Sequence, residues 1–150
     1  SGIMLLGKAV SEDRVKIDLK ARDKESAVRE LVSLVCETEP DCEEIVSAVM
    51  ERERKGSTAA SAAIAFPHAR LRSIRQTIVC IGISHQGIDF DSPTGELSRL
   101  IVLILSPEND FFSHIRILAE LSERLSSLSV EKFVSEMRSP DAVSCFFRGV

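Results

Sequence analysis

T-I-V-C-I-G-I-S, residues Thr77 to Ser84, and the segment Leu97 to Leu105, centred on L-I-V-L-I-L, decide the fold. Both are near-continuous apolar runs of strand length, the pattern of central strands buried on both faces. Working outward, Val15, Ile17 and Leu19 alternate with Lys16, Asp18 and Lys20, which predicts a strand with one buried face. Asp23 is placed to cap a helix over Lys24–Thr38, in which Ala27, Leu31, Leu34 and Val35 recur at helical spacing. Pro40-Asp41 restarts the chain. Ile45, Val46, Val49 and Met50 mark a second helix that runs into Glu51-Arg52-Glu53-Arg54 and stops at Gly56. The apolar residues 3–10 predict an opening helix or loop.

Downstream of the first run, Gln86-Gly87 predicts a turn into a short arm at Ile88–Phe90, and Asp91–Gly95 a loop. A helix beginning near Asn109 or Asp110 carries an apolar stripe of Phe111, Ile115, Leu118, Leu121 and Leu125. A further helix spans about Val130–Met137, and Ser139-Pro140 opens a last one. Helices interleaved with buried strands imply α/β architecture: a three-layer single domain with a mixed β-sheet flanked by helices on both faces. The domain is expected over residues 3–150, with Ser1-Gly2 read as an expression scar.

Composition narrows the function. A net charge of −4 argues against a nucleic-acid surface, which needs a dominant basic face. No apolar run approaches the roughly 20 residues of a membrane helix, and a cytoplasmic protein is expected. Cys36, Cys42, Cys80 and Cys145 show neither C-x-x-C nor zinc spacing with the histidines, so reduced structural thiols are expected.

The chemistry concentrates in Glu51–Arg70, E-R-E-R-K-G-S-T-A-A-S-A-A-I-A-F-P-H-A-R. Pro67 fixes its own φ and biases Phe66 toward an extended conformation, so His68 is held at the end of a buried run. Ligands in open α/β sheets sit outside strand ends. His114 falls in the first turn of the Phe111 helix on its apolar side, where packing alone would account for it. The helix N-terminus there also favours a neutral imidazole and attracts phosphate. His85 lies in a polar turn and receives no role. A phosphohistidine needs a nucleophilic nitrogen with a fixed tautomer, a cation against about two negative charges, and donors to the phosphoryl oxygens. His68, Arg52, His114 and the hydroxyls of Ser57 and Thr58 supply these. Lys55-Gly56-Ser57-Thr58 has its lysine before the glycine and is no nucleotide loop, so a phosphorylated protein is the expected donor and no cofactor is expected. A metallohydrolase using His68 and His114 lacks a third ligand at recognisable spacing.

R-E-R-K-G-S-T, I-A-F-P-H-A-R and H-I-R-I-L-A-E-L-S together resemble the fructose–mannitol class of phosphotransferase-system enzyme IIA domains, which includes the nitrogen-regulatory enzyme IIA proteins. The resemblance covers Val15 to the C-terminal helices. It implies that His68 accepts a phosphoryl group from HPr, or from its nitrogen-pathway counterpart, and passes it to a cysteine of an enzyme IIB. It further implies that Arg52 pairs with the phosphoryl oxygens and that His114 orients or stabilises His68. A regulatory module whose phosphorylation state controls another protein, without sugar transport, is the alternative. One departure stands out: Ala59-Ala60-Ser61-Ala62-Ala63 replaces a loop that is commonly glycine-rich in the family, and alanine resists φ > 0. Any cradle of loop amides around phosphate is expected to be altered or lost.

Overall fold

A computed structural model describes residues 4–60 and 62–150. Ile3 of the apolar opening and Ser61 of the alanine run lie outside them. The order of elements is α1 (Leu5–Ala9), β1 (Val15–Lys16), α2 (Lys24–Val32), α3 (Glu39–Arg54), β2 (Ala59–Ala60), β3 (Ile64–Ala65), β4 (His68–Leu71), β5 (Ile78–Ile88), β6 (Ser98–Pro107), α4 (Phe111–Leu125), α5 (Val130–Glu136) and α6 (Pro140–Arg148). The sheet runs β1-β5-β6-β3-β2, with β4 also paired to β6. β5 and β6 are antiparallel, whereas β1, β3 and β4 join them in parallel, so the sheet is mixed as expected.

The two long strands feed both faces by simple alternation. Leu100, Val102 and Ile104 of β6 join Val79, Ile81 and Ile83 of β5 under α1, α4, α5 and α6. Ile101, Leu103 and Leu105 face the other way, into a second core against α2 and α3. This is the three-layer arrangement. No described helix is long and apolar enough to cross a membrane.

Several local expectations shift. β1 pairs only at Val15 and Lys16, because the chain bends at Ile17-Asp18. Val15 enters the first core and Leu19 the second, so the alternating triplet does not share one face. Asp23 caps α2 by accepting the Ser26 N–H at 2.8 Å. The helix ends at Val32 instead of Thr38, since tight turns close Leu34 onto Leu31 and Val35 onto Val32 and divert the chain before Thr38 caps α3. Cys36 and Cys42 form a disulfide across that connection, contrary to the expected reduced thiols, while Cys80 and Cys145 are free. Burial pushes the Cys80 thiol up to about 12, which leaves it inert. β5 continues through the expected turn at Gln86-Gly87 to Ile88, with an irregularity in its pairing between Ile83 and Ile88. α4 buries His114, Ile117, Leu121 and Leu125, so its core stripe is rotated from the expected one and Phe111 and Ile115 are exposed.

β2 and β3 form a hairpin whose backbone closes from Phe66 N–H to the Thr58 carbonyl at 3.1 Å. At its tip Ala62 and Ala63 adopt φ of 64° and 63°, the left-handed region that disfavours a Cβ by about 1–2 kcal/mol per residue. Replacing both by glycine should raise the unfolding free energy by about 1 kcal/mol, after the extra chain entropy of glycine is deducted. Denaturant titration of the A62G/A63G variant against the parent checks this, and equal or lower stability would contradict it.

Candidate functional site

The site lies on the edge of the sheet at β4, between the last turns of α3 and the first turns of α4. Pro67 has no N–H to give the sheet, so the edge pairing lapses after β3 and resumes at His68. His68 therefore opens a second edge strand, in register with Ile104, instead of closing a buried run as expected. The His68 ring folds back on its own backbone: Nδ1 lies 2.8 Å from the Phe66 carbonyl oxygen. A carbonyl only accepts, so Nδ1 carries the proton and Nε2 keeps its lone pair.

Side-chain alternation sets what surrounds that nitrogen. Ala69 and Leu71 turn into the second core, while His68 and Arg70 share the α4 side of the strand. His114 projects from α4 onto buried Ser106 of β6, with its Nδ1 2.9 Å from the Ser106 hydroxyl. Asp110 caps α4 by accepting the Ser113 N–H at 3.0 Å, which fixes where the helix starts and so where His114 falls. The His68 and His114 rings have centroids 5.1 Å apart and planes inclined by 52°. Arg52, with Glu51 and Lys55, closes the far wall from α3, and the whole encloses an open cavity of roughly 430 Å³.

Both imidazoles are held neutral at physiological pH. Burial lowers the pKa of His68, with Arg52 and Arg70 adding to the effect against the Phe66 hydrogen bond and Glu53. Burial lowers His114 further, to about 4, helped by the charges of His68 and Arg70. Among the described residues no carboxylate pairs with Arg52, Lys55 or Arg70, whereas Glu51 is engaged by Arg54 at 2.9 Å. Arg52 donates to the Gly56 carbonyl at 2.8 Å and Arg70 to the Glu108 carbonyl at 3.1 Å. A cavity walled by cations with two neutral imidazoles can receive an anion at a free ring nitrogen. Among the described residues no group of three or more His, Cys, Asp or Glu side chains is placed to hold a metal.

The expected hydroxyls are not brought to this cavity. Ser57 donates to the Phe90 carbonyl and accepts from Ala59 N–H, and Thr58 donates to Glu53. Glu53 is the reason. The Glu–Arg alternation reads as a solvated helix end, yet Glu53 is 5 % exposed and binds Lys24 Nζ at 3.0 Å as well as Thr58. Lys24 in turn reaches Asp91 at 2.8 Å. This network ties the end of α3, and hence Arg52, to α2 and to the loop entering the hairpin. The alanine tip is likewise remote: Ala62 and Ala63 border a separate cavity of about 670 Å³ beside His85, Glu96 and Arg99. It lies five residues along β6 from His68, a distance of roughly 16 Å. The alanines do not touch the histidine pair. His85 sits on β5 with Nε2 3.0 Å from the Ile17 carbonyl.

The fold is a three-layer α/β domain with a paired-histidine cavity at the edge of its sheet, and comparison with known proteins gives its family. The family profile described as "Phosphoenolpyruvate-dependent sugar phosphotransferase system, EIIA 2" matches residues 8–148, and the chain belongs to that family. It is 30% identical over 122 residues to the fructose-specific EIIA component of Haloferax volcanii, covering 80% of this chain and 79% of the relative. It is 26% identical over 142 residues to the fructose-specific EIIABC component of Bacillus subtilis, covering 93% of this chain but only 22% of that longer relative. The crystal structure of nitrogen regulatory protein IIA-Ntr from Neisseria meningitidis shares the fold, with a TM-score of 0.85 at 23% identity over 95% of this chain and 99% of that one. The protein is a phosphotransferase component of the EIIA type.

Two measurements test the site's physical account. Unfolded histidine takes up protons near pH 6.5, whereas folded His114 does so only near 4, so the unfolded state binds more protons between these values. The stability that neutral His114 contributes is full above pH 6.5 and is lost as the pH falls from there toward 4. Urea titrations at pH 7 and pH 5 should show this loss, and ring-nitrogen NMR should show His114 still neutral at about pH 5. Glu53→Ala leaves Lys24 with exposed Asp91 as its remaining carboxylate and takes the acceptor from the Thr58 hydroxyl, and should cost about 2 kcal/mol in the same titration at pH 7. A loss below about 1 kcal/mol, the range of exposed ion pairs, would refute the buried network.

Proposed function

We propose that His68 Nε2 carries the phosphoryl group of this phosphotransferase component, and that Arg52 and His114 stabilise it. The observation that carries the reading is the Phe66 carbonyl on His68 Nδ1, which leaves a neutral ring with its lone pair directed from Nε2. In the transfer the Nε2 lone pair forms a new N–P bond as the donor's N–P bond breaks. The electron pair of the broken bond returns to the donor imidazole. His68 retains its Nδ1 proton for the Phe66 carbonyl, and the positive charge of the phosphorylated ring passes from donor to acceptor. Phosphoryl transfer is chiefly positioning and charge stabilisation, and Arg52 supplies a guanidinium fork to the equatorial oxygens. The Ser106 hydroxyl can donate to His114 Nδ1, which puts the His114 proton on Nε2 as a further donor toward the phosphoryl group.

HPr or its nitrogen-pathway counterpart is the donor in this reading, and an enzyme IIB cysteine the acceptor, all in the cytoplasm. The Bacillus relative, whose name joins A with B and C components, supports the IIB acceptor. Ser57 and Thr58 hold the loop behind Arg52 and do not contact the phosphoryl group.

Incubation with enzyme I, HPr and phosphoenolpyruvate should give an acid-labile phosphoprotein. His68→Ala should carry no label, and Arg52→Ala should be labelled about 100-fold more slowly. A wild-type protein that stays unlabelled with a competent donor would rule out the phosphocarrier reading. Onward transfer to an enzyme IIB separates sugar uptake from a purely regulatory module.

A further inference from the structure

Arg70 is the cation whose position the local sequence left unexplained. It follows His68 by two residues on β4, so alternation places both side chains on the α4 side of the edge strand. Both line the same cavity with His114. The Arg70 guanidinium rests over the face of Phe111, 5.1 Å from the ring centroid, and gives one N–H to the Glu108 carbonyl at 3.1 Å. Neither partner neutralises it, because one is an aromatic face and the other a main-chain carbonyl. Phe111 is itself exposed, so the stack is held at the mouth of the cavity and not in the core. The charge of Arg70 is felt at both histidines, which are its neighbours across the cavity.

We propose that Arg70 is a second phosphoryl-binding cation, stored on Phe111 and the Glu108 carbonyl in the unphosphorylated protein and moved onto a phosphoryl oxygen when His68 Nε2 is charged. The inference rests on the phosphocarrier reading and deepens it. A phosphoryl group brings about two negative charges, and Arg52 offsets only one. A guanidinium held by a cation–π contact and a single neutral acceptor exchanges the cation–π contact for a charge-assisted hydrogen bond at little cost. The planar fork lets one N–H remain on the Glu108 carbonyl while another turns to the phosphoryl oxygen. Arg70 thereby stabilises the charged carrier itself, which lowers its tendency to return the phosphoryl group to the donor.

The test is the equilibrium of phosphoryl exchange between HPr and the full chain, set up with enzyme I and phosphoenolpyruvate and read by mass spectrometry. Arg70 is exposed, and Arg70→Gln removes the charge while keeping a polar side chain, so the variant is expected to fold, which circular dichroism verifies. It should shift the exchange equilibrium about tenfold toward phosphorylated HPr, the loss expected of one charge-assisted hydrogen bond. Arg70→Lys should recover part of the shift, since it keeps the charge without the fork. The phosphorus NMR resonance of the charged protein should move in R70Q relative to wild type. An unchanged equilibrium overturns the proposal, including the case in which only the rate of transfer falls, because docking of the partner alters rates in both directions equally. Wild-type protein that takes no label overturns the carrier reading and this inference together. Labelled wild type with an unchanged R70Q equilibrium overturns the inference alone.

Discussion

Strand β6 carries pairing on both of its edges, antiparallel with β5 on one side and parallel with β3 and β4 in line on the other. The missing N–H of Pro67 divides that second edge into two short strands. On the opposite side, the Phe66 carbonyl is free to accept from Nδ1 because the Thr58 N–H that would face it goes to Glu53, so a main-chain atom that no side-chain substitution removes sets the His68 tautomer. The register with Ile104 then aligns His68 and Arg70 beside Ser106, whose hydroxyl holds His114 from the opposite element.

Burial and the neighbouring arginines act in the same direction on the two imidazoles; at His68 they are opposed by the Phe66 hydrogen bond and by Glu53. Its carboxylate is taken by Lys24 and Thr58 behind the cavity wall, so Arg52 faces the histidines as an unopposed cation. The hydroxyls that local sequence places near phosphate are drawn into the same network. A phosphate-binding look in R-E-R-K-G-S-T thus resolves into two cations at the cavity, Arg52 and Lys55, and a buried anchor, Glu53, behind them.

Much of this was legible from residue order. The near-continuous apolar runs of the Thr77 and Leu97 segments and the caps at Asp23 and Ser139 follow from local pattern and turn chemistry, which act within a few residues, and the joint spacing of Arg52, His68 and His114 from the family resemblance. The shifted stripe of α4 was not, because exposed Phe111 and Ile115 satisfy helical spacing as well as Ile117 does; only the docking of α4 on β6 selects between them. The shortened β1 and α2 likewise answer to pairing with β5 and to the connection into α3, neither of which is local.

The sequence by itself determined the layer order, the nucleophile candidate and the proline that pins it, since each depends on covalent geometry or on short-range pattern. Tertiary structure alone decided that His68 begins an edge strand, that Arg70 shares its cavity, that Ser106 seats His114, and that Ser57, Thr58 and the alanine tip stand away from the site. Those are contacts between segments distant along the chain, and they are set by which faces must be buried together. No local run of residues encodes that choice.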